Sequence, residues 1–175
     1  MEYPLYFYGH TNRSGQKKVL SNWYQCKFID PHDAQSYLTT EQYMMAKKAQ
    51  LFKDDDSYMS IMNTSSPYEA KMLGRKVKNF NQDIWNKNAK NIVICGCYIK
   101  FTESEILKTF LLSTGDRTLV EASPNDKIWG IGISLLEAKS GKPWNGTNWL
   151  GECLMKVREL IKNNENIDQY REFKY

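Results

Sequence analysis

A chain of 175 residues has the length of one ordinary domain and can bury a proper core without a metal or a disulfide framework. With 41% hydrophobic and 25% charged residues it falls outside the disordered classes, and its 13% aromatic content is a surplus that a ligand site can use as flat walls. The net charge of +4 is mild and gathered in no block, which argues against a nucleic-acid-binding tail and suits phosphate-bearing partners.

The amino-terminal stretch Met1 to Gly9 has no basic segment followed by an apolar one, and no apolar run reaches the roughly 20 residues that cross a bilayer. A cytoplasmic or nuclear protein without membrane attachment is therefore expected. Tyr6 to Tyr8 predicts a short strand, and the polar stretch Gly9 to Lys18 a loop. Gln25 to Tyr37 alternates around Asp30-Pro31-His32-Asp33 as a hairpin would. Thr39 with Gln42 forms a capping box that opens a helix to Phe52, and Ser66 with Glu69, proline between them, opens another to Arg75. The run Ile92 to Ile99 reads equally as a buried strand or as the inner part of a long helix entered at Trp85. Thr102 with Glu105 starts a helix to Ser113 that Gly115 closes in a left-handed conformation.

Thr118 to Ala122 and Ile128 to Ile133 predict short strands around the turn Ser123-Pro124-Asn125-Asp126. The last helix is capped by Asn148 and carries an apolar stripe from Trp149 through Leu150, Cys153, Leu154, Val157, Leu160 and Ile161. Beyond Asn163 a frayed polar tail is expected. Cys26, Cys95, Cys97 and Cys153 include no C-x-x-C pair, and His10 and His32 lie far upstream, so reduced core thiols and no metal are expected. The elements sum to a single α+β domain over residues 1–175, mainly helical with a small β-sheet, its core spanning about 6–162 and its tail 163–175.

No P-loop, G-x-G-x-x-G, G-x-S-x-G or H-E-x-x-H is present. Charged and aromatic residues instead sit inside segments that otherwise read as core or tight turns. They occur in Leu20-Ser21-Asn22-Trp23-Tyr24, in Thr40 to Ala49, in Leu73-Gly74-Arg75, at Trp85, in Leu119-Val120-Glu121, in Asp126-Lys127-Ile128-Trp129-Gly130 and in Trp144 to Gly151. Taken in this order from about Tyr6 to Arg158, these stretches resemble the successive motifs of the NADAR (YbiA-like) family. The resemblance implies an α+β fold that hydrolyses N-glycosidic bonds without metal or cofactor. The implied substrate is either a phosphorylated ribosylamino-pyrimidine intermediate of riboflavin synthesis or an ADP-ribosyl adduct of guanine, as a small molecule or in DNA or RNA.

Breaking a ribosyl–nitrogen bond builds positive charge at the anomeric carbon, so a site needs carboxylates, a proton donor for the leaving nitrogen and an aromatic wall. The resemblance makes Glu41 the leading catalytic carboxylate; read alone it is a solvated glutamate in the first turn of a helix. Lys48 follows seven residues later on the same face, with Met45 between. It can hold a phosphate, donate a proton or attack a ring-opened sugar as an amine, or it can simply reach solvent as its neighbour Lys47 is expected to do. Glu121 and Asp126 bracket a turn and converge near Trp129 if the two short strands pair, which would split them into an acid and a base. The plainer readings are that Asp126 caps that turn and Glu121 pairs with Arg75.

Trp85 and Trp129 are the candidate stacking walls. Ser21, Asn22 and Arg75 are candidate polar contacts to substrate, the arginine because its fork matches phosphate oxygens, although Gly74 and Arg75 also read as a helix terminus and a surface charge. Gly130 joins the substrate-binding set through its place in the matched motif. The stretch Gly9 to Val19, with Arg13, Lys17 and Lys18, is expected to border the pocket and bear on substrate choice. A rival of another class, a module that binds ADP-ribose or a nucleotide without cleaving it, keeps the tryptophans and Arg75 and makes Glu41 and Lys48 dispensable.

Overall fold

The computed structural model describes residues 3–175; Met1 and Glu2, the start of the stretch read for a secretory signal, lie outside them. From the amino terminus come strand β1 (Leu5–Phe7), two short 3-10 turns over Asn12–Leu20, and the hairpin strands β2 (Phe28–Asp30) and β3 (Gln35–Tyr37). Helices α1 (Thr40–Leu51), α2 (Asp55–Met62), α3 (Pro67–Gly74), α4 (Gln82–Thr102) and α5 (Glu105–Ser113) follow. Strand β4 (Leu119–Glu121), the short helix α6 (Leu135–Lys139), helix α7 (Trp149–Lys162) and a 3-10 turn at Asp168–Tyr170 complete the chain. The architecture is α+β and mainly helical, as expected. In place of one small sheet there are two separate pairs: β1 lies parallel to β4, with Phe7 opposite Glu121, and β2 runs antiparallel to β3.

Helix packing builds the core. The ambiguous run Ile92 to Ile99 is the inner part of α4, which starts at Asn81, whose side chain accepts from the Ile84 N–H. Ile92, Val93, Ile94, Cys95, Cys97 and Ile99 are all buried, because α1 and α7 both pack on this helix and leave it no polar face. Each of the isoleucines and the valine contributes about 1.5–3 kcal/mol through burial. Helix α1 is buried at nearly every position, so its polar residues must find partners inside the protein. Thr39 caps it by accepting from the Gln42 N–H. The Gln42 amide then accepts from the Leu38 N–H at 2.8 Å and donates to the carbonyls of Ile61 and Thr64, tying α1 to the end of α2.

Several local expectations give way to tertiary hydrogen bonding. The stretch Gly9 to Lys18 is not all loop, since from Asn12 it winds into 3-10 turns kinked at Gly15. Helix α5 is capped by Ser104, whose side chain accepts from the Leu107 N–H; Thr102 ends α4, its hydroxyl bonded to the Tyr98 carbonyl. Ile128 to Ile133 is not a strand. The carbonyls of Lys127, Ile128, Trp129 and Gly130 accept from the N–H groups of Thr147, Trp149, Leu150 and Asn148, so the start of α7 occupies the bonds a ladder would need. Asn148 begins α7 but does not cap it with its side chain, which is used on β4 instead. The tail is not frayed: Ile167 is buried, Arg171 grips Asp30 at 2.9 Å, and the Asn88 amide exchanges two hydrogen bonds with the Lys174 backbone.

Candidate active site

One face of α1 from Glu41 to Lys48, the face of α3 that ends at Arg75, the start of α4, the end of β4 and the turn behind it line a cleft of about 590 Å³. That is within the usual range of small-molecule sites, roughly 300–1,000 Å³. It is lined by Ser21, Asn22, Glu41, Lys48, Arg75, Trp85, Glu121, Asp126 and Trp129, the residues singled out in the sequence, and also by Trp23, Lys71 and Lys127. Gly130 is not a lining residue. It packs behind the turn, where an added Cβ would stand 2.9 Å from the Asp126 carbonyl oxygen and 3.0 Å from that of Glu121. The close approach of two backbones there accounts for a glycine at this position.

Glu41 is held at the helix start because its N–H, one of the donors left free in a first turn, donates to the Asn22 carbonyl at 2.9 Å. The same bond fixes Asn22 at the cleft wall. Behind it the fully buried Lys100 donates to the Ser21 carbonyl at 3.0 Å, and the Ser21 hydroxyl accepts from the Trp23 N–H. Lys48 lies on the Glu41 face, as the helical spacing predicts. Its ammonium donates to the Gly74 carbonyl at 2.8 Å and sits 4.4 Å from the Phe80 ring centroid and 5.2 Å from that of Trp85. Gly74 is more than a helix end, because a Cβ there would stand 2.0 Å from the Met45 sulfur, so a larger residue would force the Met45 side chain to move where α3 meets α1. Lys47, expected at the surface, is buried on the opposite flank, 2.7 Å from Asp33 and 3.7 Å from Asp30.

Glu121 and Asp126 do meet beside Trp129, though the strands expected to bring them together do not pair. Glu121 stands at the end of β4, where its N–H donates to the Asn148 side chain at 3.0 Å. Asp126 caps its turn, Oδ1 accepting from the N–H groups of Ile128 and Trp129, and lines the cleft as well. Among the described residues no ion pair joins Glu121 to Arg75. Trp129 is braced edge-on by Trp149, with centroids 5.6 Å apart.

Burial governs the electrostatics. Loss of water pushes the Glu41 carboxyl up to about 7, against the lowering effects of Lys71 and of a hydrogen bond from the Trp23 side chain. Burial, reinforced by the charges of Asp126 and Glu41, pushes Glu121 up to about 8. Lys48 is lowered by burial, with Glu41 opposing the shift. Among the described residues no group of three or more His, Cys, Asp or Glu side chains is placed to hold a metal. Cys95, Cys97 and Cys153 are buried free thiols, and Cys26 is half-buried. No described helix is long and apolar enough to cross a membrane.

The sequence profile of the NADAR domain matches residues 6–162. The chain belongs to the NADAR family. It is 41% identical over 160 residues to N-glycosidase R617 of Acanthamoeba polyphaga mimivirus, a match spanning 89% of this chain and 94% of that one. It is 28% identical to riboflavin biosynthesis protein VVA0006 of Vibrio vulnificus, over 93% of this chain and 40% of that protein. The NMR structure of the E. coli protein YbiA superposes with a TM-score of 0.73 at 23% identity, covering 100% of this chain and 93% of that one, so the two share a fold.

The NADAR cleft thus sets three carboxyl groups and three indoles among four cations, Lys48, Lys71, Arg75 and Lys127. Glu41 and Glu121, raised to about 7 and about 8, can give or take a proton at physiological pH, and the cations suit phosphate oxygens. Residues absent from the sequence reading still had a signal. Lys71 and Arg75 are four apart on α3 and so share one helical face, and Trp23 lies inside a motif string already quoted. Lys127 likewise lies inside a quoted string, between Asp126 and Ile128.

Proposed function

We propose that the cleft hydrolyses the bond between ribose and a base nitrogen in ribosyl or ADP-ribosyl adducts, with ADP-ribosylated guanine, free or in nucleic acid, as the substrate. The chain is an N-glycosidase, the activity for which the relative matching it over 94% of that relative's length is named. The observation that supports the substrate reading is the meeting of Glu41, Glu121 and Asp126 in one cleft with indole walls and phosphate-binding cations.

In the reaction the C1′–N bond breaks and its electron pair leaves with the base nitrogen, which takes a proton from Glu121, raised to about 8 and so mainly protonated at neutral pH. The cationic sugar carbon faces Glu41, whose ionised form stabilises it. Water then bonds to that carbon, giving its proton to Glu41 or Asp126, and the sugar leaves with a hydroxyl group. Lys48 and Arg75 hold phosphate oxygens, Trp85 and Trp129 pack the substrate, and Ser21 and Asn22 supply polar contacts. The lowered Lys48 also suits attack on a ring-opened sugar aldehyde.

A second reading keeps the bond and changes the base. The name of the Vibrio vulnificus relative favours a phosphorylated ribosylamino-pyrimidine. Replacing Glu41 by Gln and following base release by chromatography tests both. The expected outcome is a fall in kcat of about 10²–10⁴ with the fold intact by circular dichroism. A wild-type rate in the variant removes Glu41 from the mechanism. Turnover of the pyrimidine alone selects the second reading, and ADP-ribose binding without turnover of either substrate leaves a binding module.

A further inference from the structure

The cleft has a second arm. A further space of about 380 Å³ adjoins it, and the two share Ser21, Trp23, Lys71, Glu121, Asn125 and Asp126. Beyond that junction the arms differ in chemistry. The first adds three cations, Lys48, Arg75 and Lys127. The second adds no lysine or arginine: its own residues are Tyr8, Gly9, His10, Thr11 and Ser123, two rings and three hydroxyls besides backbone. A phosphate needs the cations of the first arm. A neutral planar heterocycle gains from rings that stack on it and from groups that hydrogen-bond to its edges, which the second arm offers.

The second arm is also built in register with the carboxylates. Tyr8 to Thr11 follows β1, whose Phe7 lies opposite Glu121, and the Ala122 N–H donates to the Phe7 carbonyl at 2.9 Å. Gly9 has φ 83, and the Ser14 hydroxyl donates to the Tyr8 carbonyl at 2.8 Å, so the segment turns back on itself. That turn brings the His10 ring to 5.6 Å from Trp23, tilted by 53°. Trp23 in turn hydrogen-bonds Glu41 and carries Lys71 over its face at 5.8 Å.

We propose that Tyr8, His10, Thr11 and Ser123, with Trp23, form the leaving-base subsite. The departing nitrogen heterocycle lies in the second arm, the phosphorylated sugar lies in the first, and the glycosidic bond crosses the junction at Glu121 and Asp126. The inference rests on the N-glycosidase reading and adds the orientation of the substrate and the residues that select its base.

Calorimetric titration with stand-ins for the two halves of the substrate tests it, using 2,6-diaminopurine for the planar base and ribose 5-phosphate for the phosphorylated sugar. The expected result is that the wild-type protein binds both together without competition. His10→Ala then weakens diaminopurine about tenfold, the loss of one stacking partner, and leaves ribose 5-phosphate unchanged. His10→Phe, which keeps a flat ring, restores most of that affinity, and Arg75→Gln weakens only the sugar phosphate. Retained ribose 5-phosphate binding shows that the His10 variants are folded. Mutual exclusion of the two ligands, no binding of diaminopurine to the wild type, or a His10→Ala defect confined to ribose 5-phosphate overturns the assignment. Failure of the wild-type protein to release base from any N-glycoside is a separate result, which overturns the reaction and not the partition of the cleft.

Discussion

At Glu41 the burial that raises the carboxyl to about 7, the value that suits its proposed role, also opposes folding. In an unfolded chain its pKa is about 4.3, and in the fold burial raises it to about 7. The folded protein therefore holds the proton more tightly than the unfolded one. Stability is full at pH values below the unfolded value, falls as pH rises from there to the folded value, and is level above it. Glu121, raised to about 8, has the same sign over a slightly longer window. The melting temperature of the wild-type protein is expected to fall between pH 5 and pH 8 relative to that of Glu41→Gln, and the stability gap to reach up to about 3 kcal/mol. Parallel profiles in scanning calorimetry would mean that Glu41 ionises without penalty. The position of Glu41 was legible because the residue belongs to a motif and to a helix whose spacing aligns it with Lys48. The burial of Lys47 was not, because Asp30 and Asp33 reach it from a hairpin that no periodicity in α1 reveals. The crowding that calls for glycine at 130 was not legible, because the Glu121 carbonyl that a Cβ would meet lies nine residues upstream.

One short strand and one helix start decide where two of the three carboxyl groups stand. The Asn148 amide donates to the Leu119 carbonyl at 2.9 Å and accepts from the Glu121 N–H at 3.0 Å, filling the open edge of β4 as a second strand would. Its own backbone sits at φ 56, and its N–H donates to the Gly130 carbonyl. The next turn of α7 presses so close that a Cβ on Gly151 would lie 2.1 Å from the Leu119 oxygen. Asn148→Ala leaves two buried backbone groups unpaired at about 1–3 kcal/mol each and adds the strain of a left-handed alanine. Asn148→Gly loses the same bonds without that strain, so it is expected to be the milder of the two by about 1 kcal/mol in urea unfolding. Equal losses would show that the backbone at 148 relaxes. The chain advertised Asn148 as a helix cap, and its use on β4 was hidden because the strand lies 27 residues upstream. The caps at Thr39 and Ser66 were legible because their hydrogen bonds close within one turn. The Ile92 to Ile99 run of α4 was ambiguous because neighbours bury nearly all of it, which erases the polar stripe that distinguishes a helix from a strand.

Over the whole molecule, the tail and the distribution of charge carry the remaining consequences. Arg171 reaches back across the chain to Asp30, which has no exposure to water and also meets Lys47 and the Tyr43 hydroxyl. Arg171→Ala leaves that carboxylate with one fewer cation and is expected to cost about 3 kcal/mol in urea unfolding, near the lower end for a broken buried pair because Lys47 remains. A loss within error would mean that the tail rests on the domain without stabilising it. Salt dependence distinguishes a small adduct from a polymer substrate. The excess of four cations over the chain is modest, but Lys48, Lys71, Arg75 and Lys127 are concentrated at the cleft, and Arg13, Lys17 and Lys18 lie on the 3-10 turns that follow the second arm. A free nucleotide adduct places its phosphates inside the cleft only, whereas an oligonucleotide also brings backbone phosphates to those turns and releases counterions from them. If three such contacts form on a single strand, log KM rises with log salt with a slope of about 2 beyond that of the free adduct. Measuring KM for ADP-ribosylated guanosine and for an ADP-ribosylated oligonucleotide between 50 and 200 mM salt, roughly the range over which such slopes are resolved, reads that difference directly. Equal slopes for the two substrates would place every phosphate contact inside the cleft and make the small nucleotide adduct the unit that the protein recognises.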